Sequence, residues 1–104
     1  MNFVHYTFKD STPRVPHFEI NALIGKEWVG HYQRRGEWIE NVFVREDMRR
    51  RGICKKMMMH AISQKKQLRL FVRNNNLEAQ HSYKSVGFVP RAVVDDMTEM
   101  VVGL

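Results

Sequence analysis

The sequence predicts one mixed α/β (α+β) domain over residues 1–104, a mostly antiparallel twisted sheet with a central strand–helix–strand unit. Three observations predict it. The first half alternates apolar and polar residues in short runs broken by turn signals. From Gly52 to Lys66 the apolar residues Ile53, Met57, Met58, Ala61 and Ile62 recur at helical spacing. The short apolar run Leu68–Val72 follows that segment at once, as a buried strand would.

Each element follows from local chemistry. Phe3–Phe8 alternates as a first strand, and Asp10-Ser11-Thr12-Pro13 is a turn signal. Phe18–Ile24 is a second strand with Phe18, Ile20 and Ala22 on one face. Gly25-Lys26 is a tight turn. Glu27–Gln33 is a third strand with Trp28, Gly30 and Tyr32 on one side. Arg34-Arg35-Gly36 closes a hairpin into Glu37–Arg45, where Trp38, Glu40, Val42 and Val44 are expected to share a face. The helix over Gly52–Lys66 is built from good helix formers, its methionines serving as core filler. Asn74-Asn75-Asn76 breaks the chain and supplies a cap for a second helix, Leu77–Ser85, with Ala79, Tyr83 and Val86 along one stripe. Gly87 ends that helix. Phe88–Val94 and Met97–Val102 are two last strands joined at Asp95-Asp96.

Composition narrows the function classes. A hydrophobic fraction of 43% with two Trp, three Tyr and six Phe excludes a disordered tail. The lone Cys54 excludes an intrachain disulfide. No apolar run reaches the length of a membrane span, and Met1–Lys9 lacks a signal-peptide pattern. A soluble protein of a reducing compartment, cytoplasmic, is expected. The five histidines show no metal spacing, so no metal is expected. The net charge of +6 suits an anionic partner. Arg45, Arg49, Arg50, Arg51, Lys55 and Lys56 concentrate it around one helix start, although basic residues also make ordinary solvated surface.

That helix start carries the chemistry. Val42–Val44 is a buried strand end, and Arg49–Cys54 opens a helix with positive charge and a glycine. Free N–H groups and the helix dipole favour an anion there, and Gly52 permits close backbone approach. Arg49-Arg50-Arg51-Gly52-Ile53-Cys54 resembles the Gln/Arg-x-x-Gly-x-Gly/Ala signature of the GNAT acetyltransferase superfamily, and the Val42-x-Val44 strand before it and Lys55-Lys56 after it fit. Cys54 departs from the family's glycine or alanine. Asn76-x-x-Ala79-x-x-x-Tyr83-x-x-x-Gly87-Phe88 resembles the superfamily's second motif, at the usual distance from the first. The resemblance covers roughly Trp28 to Val102.

The resemblance implies a GNAT-like fold and an acetyl-CoA-dependent N-acetyltransferase that works by direct transfer in a ternary complex. It implies that the coenzyme's pantetheine lies along Val42, Phe43 and Val44, where the strand splays from the one at Leu70–Val72. Its pyrophosphate would rest on Arg51, Gly52, Ile53 and Cys54, assisted by Arg49, Arg50 and Lys55. Asn76 would hydrogen-bond the arm, with Ala79 also at the cofactor site, an amide at or near Val44 would polarise the thioester, and Tyr83 would act as general acid. Glu40 is the first choice for the base, with Glu37, His31 or a water chain as alternatives. The acceptor is a primary amine: a protein lysine or N-terminus, a polyamine or a small amine. Only about ten residues separate the first two strands, too few for the two helices that wall the acceptor site in the superfamily. The cleft should therefore be open, admitting a large acceptor or a second subunit of a homodimer. Two other readings compete: a basic nucleic-acid-binding module using Arg34, Arg35 and Arg49–Arg51 with Trp28, Tyr32 and Trp38, and an inactive regulatory protein that binds coenzyme A. Nucleic acid and membrane are not expected partners.

Overall fold

A computed structural model describes residues 6–10 and 17–104. Seven strands form one sheet in the order β1-β2-β3-β4-β5-β7-β6. They are β1 (Tyr6–Asp10), β2 (His17–Ile24), β3 (Glu27–Arg35), β4 (Trp38–Val44), β5 (Leu68–Arg73), β6 (Val89–Val94) and β7 (Met97–Val102). Helix α1 (Ile53–Gln64) crosses from β4 to β5, and α2 (Leu77–Ser85) joins β5 to β6. Every strand pair is antiparallel except β4–β5. The expected strand begins at Phe3, and residues 3–5 of it, with residues 11–13 of the expected turn, lie outside the described residues.

One face of the sheet holds the core. Ile20, Ala22, Tyr32, Ile39, Leu68, Leu70, Val72 and Met100 are buried there with Ile53, Met57, Met58 and Ala61 of α1 and Tyr83 of α2. Each such aliphatic side chain contributes about 1.5–3 kcal/mol by leaving water. Met57 and Met58 are fully buried while Met59 is exposed, as one helical stripe requires. His60, on the next turn, sits under Phe8 (centroids 4.2 Å) and its Nδ1 is 2.7 Å from the Tyr32 hydroxyl. Burial holds its pKa below the ordinary value. The opposite face carries Trp28, Phe43 and Phe71, all exposed.

Two irregularities correct the expected faces. The β2–β3 register shifts between Ala22 and Leu23, so Val29, with no exposed surface, joins Gly30 and Tyr32 inside. Trp28 turns out, stacks on Phe43 (6.0 Å) and donates its indole N–H to Asn21 Oδ1. In β4 the register slips opposite His31–Gln33, and Asn41 takes a left-handed φ of 51°. An extra residue reverses alternation beyond it. Ile39 is buried before the slip, and Val42 and Val44 pack on the core after it. Trp38 and Glu40 therefore lie on the outer face, opposite Val42 and Val44.

Gly30 holds β3 against β4 where the site begins. A Cβ there would meet the Phe43 carbonyl oxygen at 2.6 Å and Val44 Cα at 3.4 Å. Both neighbours are backbone and cannot swing away. Gly30→Ala should cost about 1–3 kcal/mol through forced separation of the strands. The check is the midpoint of a urea melt, which should fall with an unchanged slope.

Candidate active site

The site begins where two strands part. Strand β4 pairs with β5 at Trp38 opposite Arg69. That contact is held from several sides. The Arg69 N–H donates to the Glu37 carbonyl (2.8 Å), its Nε donates to the Glu37 carboxylate (3.0 Å), and its guanidinium lies over the Trp38 ring (5.7 Å). Trp38 in turn stacks on Phe71 (5.2 Å). Three residues later the Asn41 bulge turns β4 away.

The parted edge exposes backbone. Strand residues direct N–H and C=O to one edge, alternating along the chain. The Arg45 N–H donates to the Val29 carbonyl (2.8 Å), so Arg45 and Phe43 face β3. Val42 and Val44 thus aim their amides at the edge that β5 has left. On that edge the Val44 carbonyl accepts from Arg49 Nε (3.0 Å), and the Arg49 guanidinium rests over the Phe43 ring (5.6 Å).

The turn into α1 supplies positive charge. Arg45 anchors it, pairing with Glu27 (2.7 Å) and Asp47 (2.5 Å), and a 3-10 turn runs over Glu46–Met48. Arg50 and Gly52 then take left-handed φ values of 63° and 79°, and Arg51 between them does not. Such alternation points successive N–H groups into one concavity that suits an anion. Gly52 is the N-cap of α1, no side chain caps that end, and no acidic residue stands in the first turn. The first intrahelical bond there is Lys56 N–H to the Gly52 carbonyl, which leaves the amides of Ile53, Cys54 and Lys55 without helical acceptors. The glycine is needed for its φ, since a Cβ at Gly52 would meet no atom within 4 Å.

Helix α2 forms the facing wall. Asn76 caps it, its Oδ1 accepting from the Ala79 N–H (3.2 Å). Tyr83 is buried, and its ring packs on Phe88 (5.9 Å). Cys54 and Ser82 line the same groove as Tyr83. Burial pushes the Cys54 thiol up to about 11, against a smaller opposing effect of the Tyr83 and Ser82 hydroxyls. Burial, reinforced by Cys54, also raises the Tyr83 phenol above its ordinary value. At neutral pH both stay protonated. Cys54 is therefore a poor nucleophile, and Tyr83 keeps a proton to donate.

These parts enclose a groove of about 980 Å³. Of the residues expected at the site, Val42, Phe43, Val44, Arg49, Arg50, Gly52, Ile53, Cys54, Lys55, Asn76, Ala79 and Tyr83 line it together. Arg51 and Glu40 do not; Arg51 is exposed, and Glu40 is half-buried on the outer face. Glu78 and Ser82 also line the groove and escaped notice in the sequence. Their spacing of four, one step from Ala79 and Tyr83, marks them as the same helical face. Glu78 lies 3.8 Å from exposed Arg50 across the groove. Among the described residues no group of His, Cys, Asp and Glu could hold a metal, and no helix is long and apolar enough to cross a membrane.

Residues 17–90 match the family model described as an acetyltransferase (GNAT) domain. A search of curated proteins returned no match. Among solved structures, the chain is similar to an acetyltransferase from Elizabethkingia anophelis with acetyl-CoA bound, at 15% identity and a TM-score of 0.79 over 95% of this chain and 98% of that one. It is also similar to an IAA acetyltransferase from Bacillus cereus, at 16% identity and a TM-score of 0.77 over 96% and 100%. A third is a spermidine N-acetyltransferase chimera from Vibrio cholerae and hSSAT, at 13% identity and 0.75 over 85% and 67%. With its parted β4–β5 edge, its uncapped α1 and a family match over most of its length, the chain belongs to the GNAT acetyltransferases.

Proposed function

We propose that this protein transfers an acetyl group from acetyl-CoA to a primary amine by direct attack while both are bound. The observation that carries this is the convergence, on one groove, of a free strand edge, an uncapped cationic helix start and a protonated phenol. Each suits a different part of the donor. The amides of Val42 and Val44 suit an extended arm with peptide-like groups, which would add to β4 as a strand does. The N–H groups of Gly52–Lys55, with Arg49, Arg50 and Lys55, suit its phosphates. Asn76 and Ala79 wall the arm, and Arg51 serves the phosphates from outside as a solvated charge. The volume lies at the upper end of the roughly 300–1,000 Å³ usual for ligand sites, as a nucleotide with a long tail requires.

The Val44 amide serves as donor to the thioester oxygen as charge develops there. Tyr83 serves as acid to the departing sulfur. Direct attack accords with the un-ionised Cys54 thiol, which offers no thiolate for a covalent intermediate. Glu40 is the base we assign. The donor fills the helix side of the sheet, so the amine comes from the outer face through the β4–β5 gap. Glu40 stands on that face.

The outer face also bears on the acceptor. Trp28, Phe43 and Phe71 lie open there, which suits a large acceptor such as a protein segment carrying a lysine or an N-terminus. Small amines and polyamines remain candidates, the latter in line with the spermidine-acetylating relative. A homodimer would use β6, a sheet edge whose six residues are all exposed and include Val89, Val93 and Val94. A reducing cytoplasmic setting accords with a sequence whose lone cysteine can form no internal disulfide. The nucleic-acid reading is weaker, because Tyr32 is buried and Arg34 lies over Phe18 (4.5 Å).

Thermal unfolding with and without acetyl-CoA tests the proposal. At 100 times its dissociation constant the ligand should add about 2.7 kcal/mol. Absence of any shift at millimolar acetyl-CoA would sink it. Gly52→Val should keep the fold and lose most of that shift. A thiol-release assay then tests the assigned groups. Tyr83→Phe should spare acetyl-CoA binding and slow turnover roughly 10²-fold. Glu40→Gln should lower kcat in the same assay with acetyl-CoA affinity unchanged; full activity would move the base to Glu37, His31 or water.

A further inference from the structure

A second cavity takes no part in the proposed chemistry. It lies on the helix side of the sheet and shares no lining residue with the donor groove. Its floor is Ile20 of β2 and Tyr32 of β3, both buried. Phe8 of β1, Phe18 of β2 and His60 of α1 form its walls, and Arg34 and Gln64 stand at the rim. An apolar, aromatic lining with a few polar groups is the composition of a small-molecule site. The volume of about 270 Å³ suits a ligand with a single ring.

The charge on the cavity is unspent. The Arg34 guanidinium rests over the Phe18 ring (4.5 Å), and its Nη1 donates to the Gly36 carbonyl (2.7 Å). Its Nε and Nη2 have no acceptor, and its charge no carboxylate, among the described residues. That edge of a guanidinium is a fork that matches a carboxylate. None of the lining residues is acidic. His60 stacks on Phe8 (4.2 Å), and its Nδ1 lies 2.7 Å from the Tyr32 hydroxyl. Burial keeps that imidazole neutral at neutral pH. Arg34 is therefore the one cation on the cavity, which suits a single negative charge better than a phosphate dianion.

We propose that this cavity is a second binding site, and that it takes a small aromatic carboxylate. The carboxylate pairs with the open edge of Arg34, and the ring packs among Phe8, Phe18 and Tyr32 over Ile20. The aromatic walls select a ring because burying apolar surface drives its entry. The unpaired guanidinium selects the acid over its uncharged analogue. Such a ligand touches β1, β2, β3 and α1 together, so it ties the first strand to the helix. The proposal is independent of the donor reading, since the donor groove and this cavity have separate linings.

An NMR titration of the full chain with benzoate tests this, with benzyl alcohol as the uncharged control and acetate as the control without a ring. Benzoate should saturate at millimolar concentration. It should move the amide signals of Phe18, Ile20 and Arg34 and leave those of Gly52–Lys55 in place. Saturating acetyl-CoA should leave its affinity unchanged. Benzyl alcohol and acetate should each bind about tenfold more weakly. Arg34→Gln should weaken benzoate about tenfold as well. Should loss of the Gly36 bond upset that variant's fold, Gln64→Glu gives the same reading from an exposed position. It sets a carboxylate at the rim and should weaken benzoate about threefold while sparing benzyl alcohol. Failure of benzoate to saturate, benzyl alcohol binding as tightly as benzoate, or displacement of benzoate by acetyl-CoA each overturns the proposal.

Discussion

Strand β4 meets β5 at Trp38 opposite Arg69, and the rest of the site depends on how that contact is held and how soon it ends. The Arg69–Glu37 bonds and the Trp38–Phe71 stack pin the strands at one end. The Asn41 bulge, braced by the Asn41 amide donating to Gln33 Oε1 (2.6 Å), turns β4 away within three residues. A bulge strengthens local twist, so a single inserted residue suffices to open the strands. Between the pin and the bulge the sheet stays continuous. Beyond them it offers a strand edge facing a groove on the core side of the sheet.

The open edge would be a liability if it stood alone, since unpaired strand backbone invites pairing with other chains. Here three features occupy it. Arg49 takes the Val44 carbonyl, α1 closes the core side below it, and α2 faces it across the groove. The helix start is similarly unfinished. A side chain capping α1 would contribute about 1 kcal/mol, yet Gly52 stands at that position with no side chain to offer. Arg50 adds the strain of a left-handed non-glycine residue beside it. Fold stability is thus given up at the two places where the proposed donor would meet backbone, and the packed methionines of α1 offset it nearby.

Much of this was legible in the sequence because it rests on local chemistry. The helices follow from the spacing of Ile53, Met57 and Ala61 and from the Asn76 cap. The groove follows from two motifs, which brought twelve expected residues to one surface. The misplaced faces share a cause. A period of two carries a side chain's direction only as far as the first bulge. Trp28 lies beyond a register shift, and Glu40 lies on the far side of another from Val42 and Val44. An asparagine inside a strand was the available hint at Asn41, since that residue tolerates a left-handed conformation.

The two faces of the sheet differ in character, and the proposed reaction uses both. The helix face is closed, basic and specific in its geometry, and it owes these properties to residues that also hold the fold. The outer face is open, because residues 11–16 are all that separate β1 from β2, and two helices cannot be built from them. Its aromatic rings are shielded in part by their own cations, Arg69 over Trp38 and Arg49 over Phe43. Arg49 also reaches through to the Val44 carbonyl on the groove edge. One side chain thus spans the sheet, touching an outer-face ring and a carbonyl on the groove edge.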